Sequence, residues 1–217
     1  VKPVLEALGV STYGVEGYEA DDVMATISLW ARAKGLNVCL VSGDKDMLQL
    51  VDVGVHVMNP RTREMTGVQE VRNKYGVSPS DLVDLMALAG DSADNIPGVK
   101  GIGLKTAAAI LTKFKSIEQL YAAVHNELNK PGFDSNALMS GKLRSLSPDS
   151  EGRSTFTIEG TTAKDVTLLK KFATTPFQDV EVYKKLIQLC NDVPTIIDTL
   201  SKASSTHLRY TGETEGA

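Results

Sequence analysis

The sequence has no excess of positive charge: 23 Lys and Arg face 27 Asp and Glu, for a net charge of −4 and a pI of about 5.4. A protein that coats nucleic acid generally is basic, so such a role is disfavoured. A local basic patch is not excluded, and a site that gathers carboxylates round metal ions is compatible with an acidic chain. Cysteine is equally scarce. Cys39 and Cys190 lie far apart, which excludes a disulfide framework and a cysteine-rich zinc site. Cys39, within the apolar run Val38-Cys39-Leu40-Val41, reads as a small buried hydrophobe. No apolar run approaches membrane-spanning length and no secretory leader is visible, so no membrane partner is expected. The three histidines, His56, His125 and His207, are scattered without recognisable partners. The first residue is Val1, not Met, so the chain is expected to start inside a longer product or after processing.

What is present is ordinary globular material. With 217 residues, 42% hydrophobic and 23% charged, the chain suits one compact domain, or a core with a small satellite. Val1–Gly9 reads as a short helix and Val10–Val15 as an extended stretch. Glu19–Lys34 reads as a helix whose apolar face carries Ala20, Val23, Ile27, Trp30 and Ala31, closed by Gly35. Asn37–Ser42 has the continuous apolar character of a strand buried on both faces of a parallel sheet. A short helix over Asp46–Val51 follows, then a strand pair, Val55–Asn59 and Glu64–Thr66, turning at Pro60-Arg61-Thr62-Arg63. This alternation predicts an α/β sheet over residues 1–70. Beyond Gly67 the pattern is helical through residue 129: Val68–Tyr75, a helix started by Ser78-Pro79-Ser80-Asp81 and closed by Gly90, Thr106–Phe114, and a helix capped by Ser116. Residues 130–164 are rich in Ser, Gly and Pro and read as a long loop or disordered insertion. Helical and apolar character returns over 165–200, and 201–217 reads as a polar tail.

Three acidic clusters stand out: Glu19-Ala20-Asp21-Asp22 at a helix start, Asp44-Lys45-Asp46 after the apolar strand, and Asp91-Ser92-Ala93-Asp94 after a helix end. Singly, each has a structural explanation, because acids cap helix N-termini and populate turns. Jointly they say more. Ligand sites in open α/β sheets form beyond the carboxyl ends of the strands, where the first two clusters would meet. Carboxylates crowded there would raise one another's pKa unless a hard divalent cation relieved the repulsion. Oxygen donors suit Mg²⁺ or Mn²⁺, and two such ions about 3.5–4 Å apart form a clamp for phosphodiester hydrolysis that needs no nucleophilic side chain.

The most specific stretch is Pro97-Gly98-Val99-Lys100-Gly101-Ile102-Gly103-Leu104-Lys105-Thr106-Ala107. Gly98, Gly101 and Gly103 permit tight turns, and the helix that follows directs its free amides at an anion. Lys100 and Lys105 add positive charge, with Lys113 and Lys115 further on. Gly-Val-Lys-Gly-Ile-Gly has the form of a helix-hairpin-helix element, which grips a nucleic-acid backbone without reading its sequence. A dinucleotide site is disfavoured, since these glycines follow a helical region and not a strand.

Gly17-Tyr18-Glu19-Ala20-Asp21-Asp22, Ser42-Gly43-Asp44-Lys45-Asp46 and the run from Gly90 to Ala107 resemble, in order and spacing, the 5′-nuclease family. That family takes in the 5′→3′ exonuclease domain of bacterial DNA polymerase I, phage 5′-nucleases and, more distantly, flap endonucleases. Asn59-Pro60 and Lys74-Tyr75-Gly76-Val77-Ser78-Pro79 are similar as well. The close match covers Val1–Val124, with a weaker echo over Lys184–Asp198. The resemblance implies a Rossmann-like, PIN- or resolvase-like parallel sheet followed by a helical domain with the helix-hairpin-helix. It assigns Glu19, Asp21 and Asp22 to a first metal site, and Asp44, Asp46 and Asp94, with Asp91 nearby, to a second. Gly98, Lys100, Gly101, Gly103, Lys105 and Thr106 would hold DNA, with a monovalent cation such as K⁺ in the loop. The implied substrates are 5′ flaps, nicked or branched duplexes and RNA-primed strands, handled by a monomer.

Family members also carry a strand ending in a metal-binding aspartate and a basic helical arch, which this sequence does not contain. The resemblance thus implies an N-terminally truncated core, its sheet short of one strand and its first metal site short of ligands. Two readings stay open: a nuclease that is catalytic in its complete form, and a non-catalytic DNA-binding module that keeps the hairpin and a partial metal site. An RNA-directed nuclease of similar α/β type is disfavoured by the hairpin. Nothing in the sequence fixes a compartment; nucleoid and organelle both stay open.

Overall fold

The computed structural model describes residues 1–131, 133, 135–140, 165–194 and 196–204. Its sheet is small and mixed, in the order β1 (Val38–Val41), β2 (Val55–Met58), β3 (Met65–Thr66). β1 and β2 are parallel, with Val38 opposite Val55, and β2 and β3 are antiparallel, with Val57 opposite Thr66. The β1–β2 connection carries a 3₁₀ helix over Asp46–Leu50, which buries Met47 and Leu48. That turn replaces the short helix expected over Asp46–Val51.

β1 is an edge strand among the described residues, and this corrects the reading of a strand buried on both faces. Its burial alternates: Leu40 is in the core, whereas Cys39 and Val41 are exposed. Among the described residues β1 pairs with β2 alone and only its Leu40 face is covered, so the apolar run is present without two-sided burial. Val10–Val15, expected to be extended, forms no strand.

Ten helices surround and extend the sheet among the described residues. α1 (Lys2–Ala7) buries no residue. α2 (Ala20–Ala33) has Asp21 and Asp22 in its first turn and buries Val23, Ala25, Thr26, Ser28 and Ala31. α3 (Val68–Tyr75) ends at Gly76 in the left-handed region (φ 76°). Pro79–Asp81 forms a 3₁₀ turn that leads into α4 (Leu82–Ala89), and Gly90 (φ 84°) closes it. α5 (Leu104–Phe114) and α6 (Ile117–Leu128) follow, the latter capped by the Ser116 hydroxyl, which accepts the Gln119 N–H at 3.3 Å. α7 (Ser135–Ser140) is helical where a loop was expected; residues 141–164 lie outside the described residues. α8 (Asp165–Thr174), α9 (Phe177–Ile187) and α10 (Ile196–Ser204) are the last described elements, so the first part of the expected polar tail is helix; 205–217 lie outside the described residues.

One core runs from the sheet through α4 and α5 into α6, α8 and α9, with Leu85, Leu88, Ile110, Ile117, Leu120, Leu169 and Phe172 at its centre. A second cluster joins Val23 of α2 to Val193, Ile196 and Leu200. α9 is tied to the core by charge as well. The Lys184 ammonium lies 2.8 Å from an oxygen of buried Asp84 and 2.8 Å from one of Glu118, while the other Asp84 oxygen accepts the Ile117 N–H at 3.1 Å. Burial opposes ionisation of Glu118, yet the hydrogen bonds from Lys184 and Ser116 prevail and pull its carboxyl down to about 2. A carboxyl depressed in the fold contributes stability above its unfolded value, and that contribution is lost as the pH falls from about 4.5 towards 2. Lys184→Met should therefore cost about 1–2 kcal/mol at neutral pH. It should also flatten the acid limb of the thermal-unfolding midpoint against pH; an unchanged acid limb would remove Glu118 from the argument.

Candidate metal centre and nucleic-acid interface

The second and third acidic clusters are brought together by two local devices. In Ser42-Gly43-Asp44-Lys45-Asp46 the Asp44 N–H donates to Ser42 Oγ (3.0 Å) and the Asp46 N–H to Asp44 Oδ1 (2.9 Å), which fixes the turn beyond β1. In the loop after α4, Asp91 and Ile96 exchange backbone hydrogen bonds of 2.7 and 2.8 Å, closing a tight loop that carries Asp94. Asn95 occupies the left-handed region there (φ 56°), which asparagine tolerates.

As a result, Asp46, Asp91 and Asp94 each present a carboxylate oxygen, all within 4.8 Å of one another. Asp91 is buried, Asp46 half-buried and Asp94 exposed, so the group opens outward. Burial first, then repulsion from Asp44 and Asp94, pushes the Asp46 carboxyl up to about 6. The Lys45 ammonium offsets part of this charge, lying 2.7 Å from Asp91 and 3.5 Å from Asp94, and its own pKa is raised by the Asp91 hydrogen bond. Lys45 stands between two of the predicted ligands and was given no role by the sequence reading.

The first cluster adjoins this group through Asp44. The Asp21 carboxyl is raised by burial and then by Asp44, ahead of Glu19 and Asp22. Asp44 thus acts on both Asp21 and Asp46. The expected first site of Glu19, Asp21 and Asp22 is less assembled: among the described residues, Asp46, Asp91 and Asp94 are the one set of three at metal-ligand spacing. Asp22 accounts for part of this, because its oxygens accept backbone N–H groups, from Glu19 at 3.3 Å and Cys190 at 2.8 Å.

The glycine hairpin lies directly behind the Asp91–Ile96 loop. Gly98 has φ 63°, and a Cβ there would sit 2.3 Å from the Gly90 nitrogen; a Cβ on Gly90 would sit 2.7 Å from the Pro97 carbonyl oxygen. The two glycines pack back to back, so Gly98 joins the hairpin to the end of α4 as well as turning the chain. Gly101 also has a positive φ (75°), whereas Gly103 is ordinary extended backbone before α5 with open space around it. Lys100 and Lys105 are exposed, and Thr106, in the first turn of α5, is half-buried. Lys113 instead lies over the Phe114 ring (5.5 Å), and Lys115 donates to the Thr112 carbonyl (2.7 Å). Lys171 of α8 was missed by sequence reasoning: its ammonium donates to the Gly101 carbonyl at 2.7 Å, across 70 positions. No sequence signal announces such a contact. It places a cation of the chain's own at the turn where the resemblance implies a monovalent ion.

The N-terminal resolvase-like domain model of 5′-3′ exonucleases matches residues 1–76, and the C-terminal SAM-fold model of the same enzymes matches residues 77–156. The chain belongs to the 5′-3′ exonuclease family. Among curated proteins of the family, it is 42% identical over 118 residues to the 5′-3′ exonuclease of Buchnera aphidicola subsp. Schizaphis graminum, covering 54% of this chain and 41% of that one. It is 37% identical over 160 residues to DNA polymerase I of Bacillus subtilis, covering 69% of this chain and 18% of that one. The chain thus spans less than half the length of these relatives. Among solved structures, T5 5′-exonuclease with bound divalent zinc ions matches with a TM-score of 0.62 at 21% identity, over 93% of this chain and 65% of that one. A bacteriophage T5 flap endonuclease in complex with DNA and metal ions matches with a TM-score of 0.54 at 21% identity, over 92% and 63%. At these identities the likeness establishes the fold: a resolvase-like unit followed by a helical SAM-like one.

Proposed function

We propose that this chain forms the metal-binding and DNA-gripping part of a 5′-nuclease that hydrolyses DNA phosphodiester bonds at 5′ flaps and nicked or branched duplexes, RNA-primed strands among them. The observation that carries this reading is the convergence of Asp46, Asp91 and Asp94 within 4.8 Å. An all-carboxylate donor set suits a hard divalent cation, Mg²⁺ or Mn²⁺. Asp44, Asp46, Asp91 and Asp94 would hold one ion, with Glu19, Asp21 and Asp22 contributing to a second on the far side of Asp44. When bound, such ions supply an activated water and neutralise charge on the attacking and leaving oxygens.

The chain's own residues do the rest. Asp44 faces both carboxylate sets and keeps them in register. Lys45 balances the charge of Asp91 and Asp94 until a cation takes up that task. The hairpin fixes the duplex by its backbone: the α5 amides and Lys100, Lys105 and Thr106 receive phosphate oxygens, and Lys171 extends the positive surface from the Gly101 turn. Since Gly90 and Gly98 touch, the phosphate grip and the carboxylates form one rigid piece, and the cut falls at a fixed distance from the held duplex. The protein acts as a monomer, and the hairpin cation is supplied by Lys171 or shared with K⁺.

The test is cleavage of an end-labelled 5′-flap substrate by protein carrying this chain, in Mg²⁺, in Mn²⁺ and in EDTA. Cutting in both metals and none in EDTA is expected. Tight flap binding without cutting in either metal would instead establish a non-catalytic DNA-binding module. Lys100→Ala and Lys105→Ala should each weaken flap binding and lower the slope of log affinity against log salt by about 1. Unchanged slopes would remove these lysines from the interface.

A further inference from the structure

One stretch of chain is stitched to both elements that carry the metal-facing carboxylates. Beyond α9 the chain turns extended at Gln188 and passes alongside α2. Gln49, in the 3₁₀ helix begun by Asp46, donates from Nε2 to the Ile187 carbonyl (3.0 Å) and accepts the Leu189 N–H at Oε1 (3.1 Å). Its amide meets this stretch as a neighbouring strand would. Next, the Cys190 N–H donates to Asp22 Oδ1 (2.8 Å), and the Val193 N–H donates to Thr26 Oγ1 (3.1 Å). Thr26 in turn donates to the Asp22 carbonyl (2.9 Å). Thr26 and Val193 are each 1% exposed, so the far end of the stitch lies away from water, sealed by Val23, Ile196 and Leu200.

The strap thus joins the helix that presents Glu19 and Asp21 to the turn that presents Asp44 and Asp46. Both sets are carboxylates, so when ionised they repel each other. Something must hold them at a distance short enough to share cations, and packing of α2 on the 3₁₀ helix alone is not directional. Hydrogen bonds with fixed partners are. We infer that the Ile187–Val193 strap sets the spacing between the two carboxylate sets, and that Gln49 and Thr26 are positioning residues for divalent-cation binding. The strap lies beyond residue 156, where the matches to the family models end, and within the Lys184–Asp198 stretch whose sequence echoes the family. The inference rests on the metal reading above.

Mn²⁺ titration by calorimetry on the folded protein tests it, with thermal unfolding in EDTA run alongside. Gln49→Met removes both hydrogen bonds at nearly constant volume and should weaken Mn²⁺ binding about tenfold or more, as loss of groups that orient metal ligands does. Thr26→Val cuts the other end and should weaken it similarly, which decides the matter if Gln49→Met does not fold. A raised Mn²⁺ concentration should restore saturation in both. Mn²⁺ affinity within twofold of the parent in a folded variant, whatever its unfolding midpoint, overturns the inference while the metal reading stands. Absence of Mn²⁺ binding by the parent protein overturns the metal reading itself.

Discussion

Asp46→Ala or Asp94→Ala should lower flap cleavage by at least about a thousandfold, some 4 kcal/mol of transition-state stabilisation, while flap binding stays within a few-fold. The asymmetry follows from the geometry. The carboxylates form one group with Asp91, whereas Lys100 and Lys105 lie on the hairpin, so the variants remove cation ligands and leave the phosphate grip intact. A parallel loss of binding and cutting would contradict this division. The same carboxylate makes a further prediction with a definite sign. Burial and the neighbouring acids raise Asp46 to about 6, so the folded chain holds a proton that the unfolded chain releases near 3.8. Between those values the fold binds more protons than the unfolded chain, and its stability in EDTA falls as the pH rises from about 4 to about 6. The Glu118 contribution runs the other way below about 4.5, so the unfolding midpoint should pass through a maximum near pH 4–5 in the absence of divalent ions. Asp46→Asn should flatten the upper limb, and Mn²⁺ should restore the midpoint at pH 7. A midpoint that climbs steadily through pH 6 in EDTA would show that Asp46 is not crowded as the structure has it.

Much of this was legible because the signals are local. Helix α2 follows from its apolar spacing and acidic first turn, α4 from its Ser78–Asp81 start and its Gly90 stop, and the β2–β3 pair from the Pro60–Arg63 turn. The convergence of Asp46 with Asp94 was legible only through the family pattern, since no periodicity brings position 46 to position 94. Where local reading failed, a tertiary fact overrode it. The Val38–Val41 run has the composition of a central strand, but among the described residues it pairs on one side only, and Cys39 is exposed. Serine-rich composition hid the helix at Ser135–Ser140. Lys171 on Gly101 and Gln49 on Ile187 are contacts between residues about 70 and 140 positions apart, made by common side chains with no motif round them. The role of Gly98 lies between these cases: a turn residue was evident, but its partner Gly90 was not.

That partnership gives the largest expected effect on stability. An alanine at Gly98 would carry its Cβ 2.3 Å from the Gly90 nitrogen and 2.7 Å from the Ala89 carbonyl carbon, all backbone atoms that cannot rotate away, at a φ of +63°. The left-handed conformation alone costs an L-residue about 1–2 kcal/mol, and forced displacement of packed backbone adds about 1–3 more. Gly98→Ala should thus destabilise the protein by about 3 kcal/mol, lowering the thermal midpoint by about 6–12 °C in a chain of this size. Gly103→Ala is the matched control: its backbone is extended and no atom lies within 4 Å of the added Cβ, so the midpoint should barely move. The pair separates folding from grip. Gly103 abuts the amides proposed to meet phosphate, so its alanine variant should weaken flap binding at full stability. Gly98→Ala should weaken flap binding and Mn²⁺ binding together, because the hairpin and the Asp91–Asp94 loop are joined at the Gly90–Gly98 contact. A Gly98→Ala protein that melts with the parent would mean that the two glycines do not touch, and the coupling of metal centre to DNA grip would lose its structural basis.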